Sequence, residues 1–329
     1  MGLLAAPHNT RRIEALADFR RYGNLILAGT EPIPGLILTR KLGAGSFGEV
    51  WEAQKADGSR VALKFLNTRQ RHRLQIQSEI RVLNGLRELS HPNIIQFFGV
   101  HASSQYLILS MERADGNLLD LRNAYREEGL KNLPADHAMD LLEQAAQALD
   151  FLADQKLECF NASSPGLQHC DIKPTNLLIL GDTMKVADFG LCTSTSWKTH
   201  GNAWRGTLPY AAPELFRGQA SKHTDQYALA VTFCELCIGQ SCLYPLDPKP
   251  GPPKMPIDLT KLRNSEFRII ARALSPNYTD RYPSCQEFIS ALRKGSQAPR
   301  TKQRVPVVPL GQHRGALSER CSSAPRAIQ

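Results

Sequence analysis

The centre of the chain carries a short run of residues that suit the transfer of a charged group. It reads His169-Cys170-Asp171-Ile172-Lys173-Pro174-Thr175-Asn176, and Asp188-Phe189-Gly190 begins twelve residues after Asn176. Asp171 can accept a proton, and Lys173 can neutralise an anion. The oxygens of Asn176 and Asp188 are hard ligands of the kind that Mg²⁺ takes. A base, a cation and two metal ligands are what phosphoryl transfer requires, so the run indicates that chemistry.

At these residues the chain resembles the protein kinase family, in particular its bacterial members. The resemblance implies Asp171 as catalytic base, Lys173 on the γ-phosphate, and Asn176 and Asp188 as metal ligands. It implies ATP with Mg²⁺, or Mn²⁺ in its place, as cofactors and a protein substrate as acceptor. Lys173 and Thr207 favour the Ser/Thr branch over the tyrosine branch. We therefore expect a protein serine/threonine kinase.

A glycine-rich turn precedes the centre of the chain and lies between two predicted strands. Its residues are Gly43, Ala44, Gly45, Ser46, Phe47 and Gly48, followed after one residue by Val50. The glycines let a backbone approach phosphates closely, and Val50 can cover a base. The chain continues as a strand from Trp51 to Gln54, whereas a Rossmann turn needs a helix next. Alone such a turn is weak evidence; beside the central run it predicts a phosphate-covering loop.

Lys64 lies sixteen residues after Gly48, in the apolar run Val61-Ala62-Leu63-Lys64. A buried lysine is costly without an anionic partner. Glu79 offers one, because it shares the helical stripe of Ile76, Ile80 and Leu83. We predict a Lys64–Glu79 ion pair, with Glu88 as the less favoured partner, and we expect Lys64 to bind the α- and β-phosphates.

The resemblance also implies an adenine pocket. Ala62 and Met111 line it, Met111 at its back, and Glu112 to Ala114 offer backbone hydrogen bonds to the base. The chain is about one residue shorter here than in the usual pattern. Two other departures are a long connection at 156–168 and Glu79 lying about three residues further than usual from His91-Pro92-Asn93.

Cys170 stands where many family members carry arginine. A neutral thiol beside Asp171 offers no charge to a phosphorylated activation segment. We therefore predict basal competence or control by protein partners, unless Lys198 or Arg205 substitutes as the cation.

Two later residues and a cysteine cluster have structural interpretations. The resemblance makes Glu214 and Arg281 a buried pair, and Ala212-Pro213-Glu214 resembles the family's substrate platform. Cys234, Cys237 and Cys242 could suggest zinc, but no second CxxC or matched histidine accompanies them, so buried thiols are favoured. Cys192 follows the Asp188 motif; we favour an unreactive thiol over an accessible one near ATP.

Composition sets the broad class. The 329 residues are 42% hydrophobic and 22% charged, which is ordinary for a soluble globular protein. The net charge of +9 fits phosphate handling, an acidic partner or a basic tail, and we do not expect nucleic acid binding. Eight cysteines without paired spacing and the lack of a leader-like opening predict reduced thiols in the cytoplasm. No apolar run reaches the ~18 residues of a spanning helix, and the oligomeric state stays open.

The apolar patterns predict an α+β, two-lobed chain. Strand-like runs at 36–41, 50–54, 60–65, 94–101 and 106–111 predict a mostly antiparallel sheet with one helix inserted at about 70–89. After Asn117 the pattern becomes helical. We predict an N-terminal extension at 1–35 and a kinase domain at 36–294, with lobes at about 36–114 and 115–294. The Pro-, Arg- and Ser-rich residues 295–329 are expected to be a disordered tail.

Two other functions compete with this interpretation. A pseudokinase used as a binding or scaffold module would lack the lysine, the base or a metal ligand, and none is missing. A small-molecule phosphotransferase of related fold would not need the Ala212-Pro213-Glu214 platform or the complete glycine-rich loop.

Overall fold

The computed structural model describes residues 26–45, 48–68, 80, 83–103, 105–155, 166–194, 206–239, 262 and 264–297. The chain divides into two units, Met1–Ala298 and Pro299–Gln329, and every described residue lies in the first.

Five strands form the first sheet. They are β1 (Ile37–Gly45), β2 (Gly48–Gln54), β3 (Arg60–Asn67), β4 (Phe97–Ala102) and β5 (Tyr106–Glu112), in the spatial order β1-β2-β3-β5-β4. All neighbours are antiparallel, as predicted. Of the helix expected at 70–89, the structure describes residue 80 and residues 83–89; 80 and 83–87 are helical, and Leu83 and Leu86 are buried.

The two faces of this sheet pack against different partners. The inner face, with Ala62 and Met111, belongs to the large core that continues into the helical part of the chain. The outer face carries Trp51 and Phe65, and Ile33 packs onto it from the preceding segment. Two backbone hydrogen bonds hold that segment in place: the Gly29 amide donates to the Leu38 carbonyl at 2.7 Å, and the Leu38 amide donates to the Thr30 carbonyl at 2.8 Å. Residues 26–35, expected to belong to an extension, therefore complete the outer layer of the sheet.

Five short strands and five α-helices follow among the described residues. The strands are β6 (Gly116–Asn117), β7 (Leu167–Gln168), β8 (Leu177–Leu180), β9 (Thr183–Val186) and β10 (Thr193–Ser194). The helices are α1 (Leu118–Glu127), α2 (Ala135–Asp154), α3 (Thr224–Ile238), α4 (Asn264–Ala273) and α5 (Cys285–Ser296). β6, β8 and β9 form one small sheet, and β7 pairs with β10.

The helices form as their sequences dictate. Asn117 caps α1 by accepting from the backbone of Leu119 and Asp120, and Ser284 caps α5 in the same way. On α2 the apolar residues recur at the spacing of one helical face, and that stripe is buried: Leu141, Ala145, Leu149 and Leu152. Helix α3 is buried on all sides from Thr224 to Leu236, which makes it the centre of the helical lobe. Within the described parts of the chain, we find no helix long and apolar enough to cross a membrane.

Candidate active site

Asp171 lies at the centre of a dense hydrogen-bond network. Its Oδ2 accepts from Lys173 Nζ at 2.7 Å and from Asn176 Nδ2 at 3.0 Å. Its Oδ1 accepts from the Thr207 hydroxyl at 2.7 Å and from the Thr207 amide at 3.2 Å. The residue is 4% exposed. Four donors on one buried carboxylate fix its position.

Thr207 joins the base to the cation. Lys173 Nζ donates to Thr207 Oγ1 at 2.6 Å as well as to Asp171. Thr207 had entered the sequence argument only as an indicator of the Ser/Thr branch. The structure makes it part of the site, and no local pattern could have found this, because 34 to 36 positions separate it from the residues it contacts.

The two predicted metal ligands lie side by side. The amide of Ala187, just before Asp188, donates to the Asn176 carbonyl at 2.9 Å. The Asn176 side chain turns its NH₂ group towards Asp171, donating to the carbonyl at 2.8 Å and to the carboxylate at 3.0 Å. Its side-chain oxygen is thereby left as an acceptor for a cation.

Lys64 contacts Asp188. Its Nζ lies 2.5 Å from Asp188 Oδ1. Burial raises the pKa of Asp188. The charge and hydrogen bond of Lys64, with smaller contributions from His169 and Lys173, lower the pKa by more than burial raises it, so the net pKa lies below its ordinary value. Asp188 is therefore ionised at neutral pH. Glu79, the predicted partner of Lys64, lies outside the described residues, so that ion pair stays a prediction; the described alternative, Glu88, is exposed at the helix end.

A buried carboxylate holds the backbone before Asp171. Asp225 accepts from the amide of His169 at 2.6 Å and from that of Cys170 at 2.8 Å. Cys170 has a φ of 63° and Asp188 a φ of 68°, the left-handed region that residues other than glycine rarely adopt. Strained residues persist only where their surroundings fix them, and both lie beside the site. Asp225 is 56 and 55 positions away from these two residues, so no local sequence pattern could have revealed the contact.

The glycine-rich turn is the tip of the β1–β2 hairpin. Gly43 lies opposite Val50 and Gly45 opposite Gly48, with Ala44 between them in the ladder; Ser46 and Phe47 lie outside the described residues. Gly48 has a φ of 138°, and an added Cβ would lie 1.9 Å from the carbonyl oxygen of Phe65. Close packing onto β3 is thus a reason for glycine at 48 that the phosphate argument had not supplied.

The residues expected around adenine lie on the inner face of the sheet. Ala62 and Met111 are directly opposite each other and are 5% and 7% exposed. Val50 is half-buried against the same core, as are Leu42 and Leu178, which the sequence argument did not include. Ala114 is half-buried as well.

The backbone amide of Glu112, which was among the groups expected to bind the base, makes a hydrogen bond within the protein. Its amide donates to the Gln96 carbonyl at 3.0 Å, and its carboxylate accepts from the Gln96 amide and from Lys185 Nζ at 2.6 and 2.7 Å. The amide of Glu112 is therefore already paired within the protein, with the residue before β4.

The predicted structural features elsewhere in the lobe can also be located. Glu214 and Arg281 form a bidentate pair with two contacts of 2.8 Å and are 1% and 2% exposed, which confirms the buried pair. Cys234 is buried and Cys237 half-buried on α3, whereas Cys242 lies outside the described residues. Among the residues that the structure describes, no group of three His, Cys, Asp or Glu could hold a metal ion.

Comparisons with known proteins agree with this geometry. Residues 36–304 match the family described as the protein kinase domain. The serine/threonine-protein kinase PknF of Mycobacterium tuberculosis is 27% identical over 81% of this chain and 57% of its own length. The serine/threonine-protein kinase TIO of Arabidopsis thaliana is 31% identical over 62% of this chain and 14% of its own. The chain thus spans little more than half of the length of the first relative and a much smaller part of the second.

A solved structure supports the fold. The crystal structure of the Mycobacterium tuberculosis PknI kinase domain superposes with a TM-score of 0.59 at 26% identity, covering 82% of this chain and all of that one. The α+β, two-lobed architecture predicted from the sequence is therefore confirmed.

Proposed function

This chain belongs to the protein kinase domain family, and we propose that it transfers the γ-phosphate of ATP to a Ser or Thr hydroxyl of a protein substrate. The observation that carries the proposal is the contact set around Asp171. Thr207 and Lys173 hold one carboxylate from two sides, next to the oxygens of Asn176 and Asp188. No residue that the mechanism needs is replaced in the sequence.

Asp171 acts as the base in this proposal. An acceptor hydroxyl takes the place of one of the present donors, and the buried carboxylate orients it and removes its proton as the bond to phosphorus forms. The acceptor hydroxyl can replace a donor from Thr207, because the side chain and the amide of Thr207 both donate to Oδ1 of Asp171. Lys173, now shared between Asp171 and Thr207, neutralises the γ-phosphate.

Lys64 holds the α- and β-phosphates, and Asn176 and Asp188 hold the metal ion. The residues fit a hard divalent cation, since one offers an amide oxygen and the other an ionised carboxylate. We propose Mg²⁺, with Mn²⁺ as a substitute; when bound, it neutralises the charge of the transferred phosphate. We also propose that Glu79 pairs with Lys64. Asp188, which Lys64 contacts, is a ligand of the metal ion in this proposal, so the phosphate-binding lysine needs a second anionic partner.

Adenine binds between Leu42, Val50 and Ala62 on one side and Leu178 on the other, with Met111 at the back. The glycine-rich loop covers the phosphates. The catalytic domain extends over about residues 36–294, and the residues after it form a tail. We propose a cytoplasmic place of action and no nucleic acid partner.

One experiment separates this function from its two rivals. The purified chain is incubated with radiolabelled ATP, Mg²⁺ and a basic protein, beside a nucleotide-binding assay and a screen of small alcohols. Label on Ser or Thr of the protein, identified by phosphoamino acid analysis, supports the proposal. Nucleotide binding without transfer would favour a pseudokinase, and label only on a small molecule would favour a phosphotransferase of that class.

A further inference from the structure

A buried glutamate on β2 is surrounded by three arginines. Glu52 is 2% exposed, and its carboxylate contacts Arg40 at 3.3 Å, Arg60 at 3.6 Å and Arg113 at 2.9 Å. The side chains of Arg40 and Arg60 are 56% and 57% exposed, whereas that of Arg113 is 23% exposed. Because exposed ion pairs contribute little, the short contact with Arg113 is the dominant one of the three.

Glu52 lies beside the sheet side of the proposed adenine site. It is opposite Ala62 on β3, and Ala62 is opposite Met111 on β5. Residues directly opposite each other in a ladder share one face of the sheet. Val50, two residues before Glu52 on β2, shares the same face, because side chains alternate along a strand. A contact that fixes Glu52 therefore also fixes the strand that covers the base.

Arg113 joins Glu52 to the segment that connects the two lobes. Residues 113–115 lead from β5 of the first sheet to β6 of the small sheet. Arg113 Nε donates to Glu52 Oε2 at 2.9 Å, and its Nη1 donates to Asp115 Oδ1 at 2.7 Å. One guanidinium thus bridges two carboxylates, and its planar geometry sets the distance between them.

Asp115 continues this connection to the opposite side of the adenine site. Its Oδ2 accepts from the Gly181 amide at 2.9 Å, and its own amide donates to the Ile179 carbonyl at 2.8 Å. Ile179 follows Leu178 on β8, and Leu178 forms the other side of the proposed adenine site. A continuous set of contacts therefore runs from β2, around the connecting segment, to β8.

We propose that Glu52, Arg113 and Asp115 form an interlobe clamp, which sets the spacing between the two sides of the adenine site and so positions ATP. This inference rests on the proposed kinase function. Without the clamp the two sides can separate, and a gap of about 0.5–1 Å removes roughly a quarter to a half of the dispersion attraction across it. We expect the Kd for ATP to rise at least about fivefold. At saturating ATP kcat should change less than about threefold, because the three residues are remote from Asp171 and its partners in the hydrogen-bond network.

The test compares Arg113→Met with the unaltered full-length chain by calorimetric titration with MgATP and with adenosine. Adenosine carries the base but no phosphate, so a wider adenine site should weaken both ligands by a similar factor. The loss of a positive charge alone would weaken only ATP. Arg60→Met is the matched control, because it removes an arginine from the same carboxylate without reaching Asp115; both Kd values should stay within about twofold. Arg113→Lys keeps the charge but not the planar fork, so it should restore only part of the affinity.

Two further measurements keep the test independent of any single variant. Asp115→Asn changes a side chain that is 58% exposed, so it should keep the fold and weaken both ligands in the same direction. Combined with Arg113→Met, it should add little, because residues of one network are not additive. Hydrogen exchange needs no nucleotide: amides at 113–117 should exchange at least about tenfold faster in Arg113→Met and at the unaltered rate in Arg60→Met.

Three binding results would overturn the clamp. These are Kd values of Arg113→Met within twofold of the unaltered chain, weaker binding of ATP alone, or an equal effect of Arg60→Met. An unaltered chain that binds neither ATP nor adenosine would contradict the proposed function instead. In that case faster exchange at 113–117 confined to Arg113→Met would still support the clamp, and equal exchange in the two variants would overturn it.

Discussion

Replacing Arg281 with Met should destabilise the helical lobe strongly. Arg281 donates to both oxygens of Glu214 at 2.8 Å, to the His223 carbonyl at 2.9 Å and to the Ser275 carbonyl at 3.0 Å. Among the described residues, the donors that then remain for the Glu214 carboxylate, which is 1% exposed, are the hydroxyls of Thr224 and Ser221. Breaking a buried pair in this way costs about 3–5 kcal/mol.

Thermal and urea unfolding measure this cost. For a domain of this size, about 2–4 °C per kcal/mol converts the loss into a fall in Tm of roughly 6–20 °C. The double variant Glu214→Leu with Arg281→Met should be less destabilised than Arg281→Met, because no charge stays buried. Arg60→Met is the matched control: its side chain is 57% exposed and lies 3.6 Å from Glu52, so its cost should stay below about 1 kcal/mol. A loss below about 1 kcal/mol for Arg281→Met would refute the reasoning.

Other predictions follow from the same contacts. Asp188→Asn should lower kcat by more than about 100-fold, or more than about 2.7 kcal/mol of barrier, with little change in Tm; near-normal phosphorylation would contradict the metal assignment. Deleting 1–35 should lower Tm by several degrees, because it uncovers the outer face that Ile33 packs on, whereas deleting 1–24 should not. Deleting 298–329 should leave Tm within a few degrees; a large drop would show that this segment docks. Replacing Thr193, Ser194, Thr195, Ser196 and Thr199 by Ala should change the rate less than about tenfold, since Cys170 carries no charge for a phosphate there; a hundredfold fall on dephosphorylation would contradict this.

Local sequence patterns predicted the elements and the central residues well. Period-two runs gave all five strands of the first sheet to within a few residues, and the α2 stripe is buried as its spacing required. Asp171, Lys173 and Asn176 come together because six residues and one tight turn contain them, so their proximity needs no knowledge of the fold.

Long-range contacts account for what the sequence could not reveal. Lys64 and Asp188 are 124 positions apart, and the contact between them depends on how two lobes meet. Thr207 is 36 positions from Asp171, which is too far for a local sequence pattern to connect them. Gly48 is explained by its approach to Phe65 on the neighbouring strand, not by a ligand. The burial of Ile33 depends on a sheet face that the residues around it do not define.

Comparison of Asp171→Asn with the unaltered chain tests the central claim most directly. Single-turnover phosphoryl transfer from ATP to a Ser/Thr protein substrate is measured at saturating Mg²⁺, together with the Kd for ATP and the Tm. We predict a fall in rate of about 10²–10⁴-fold, the typical contribution of a general base, with the Kd for ATP changed less than threefold. A variant that keeps its fold, binds ATP and transfers phosphate at near the unaltered rate would contradict the assignment of Asp171 as the base.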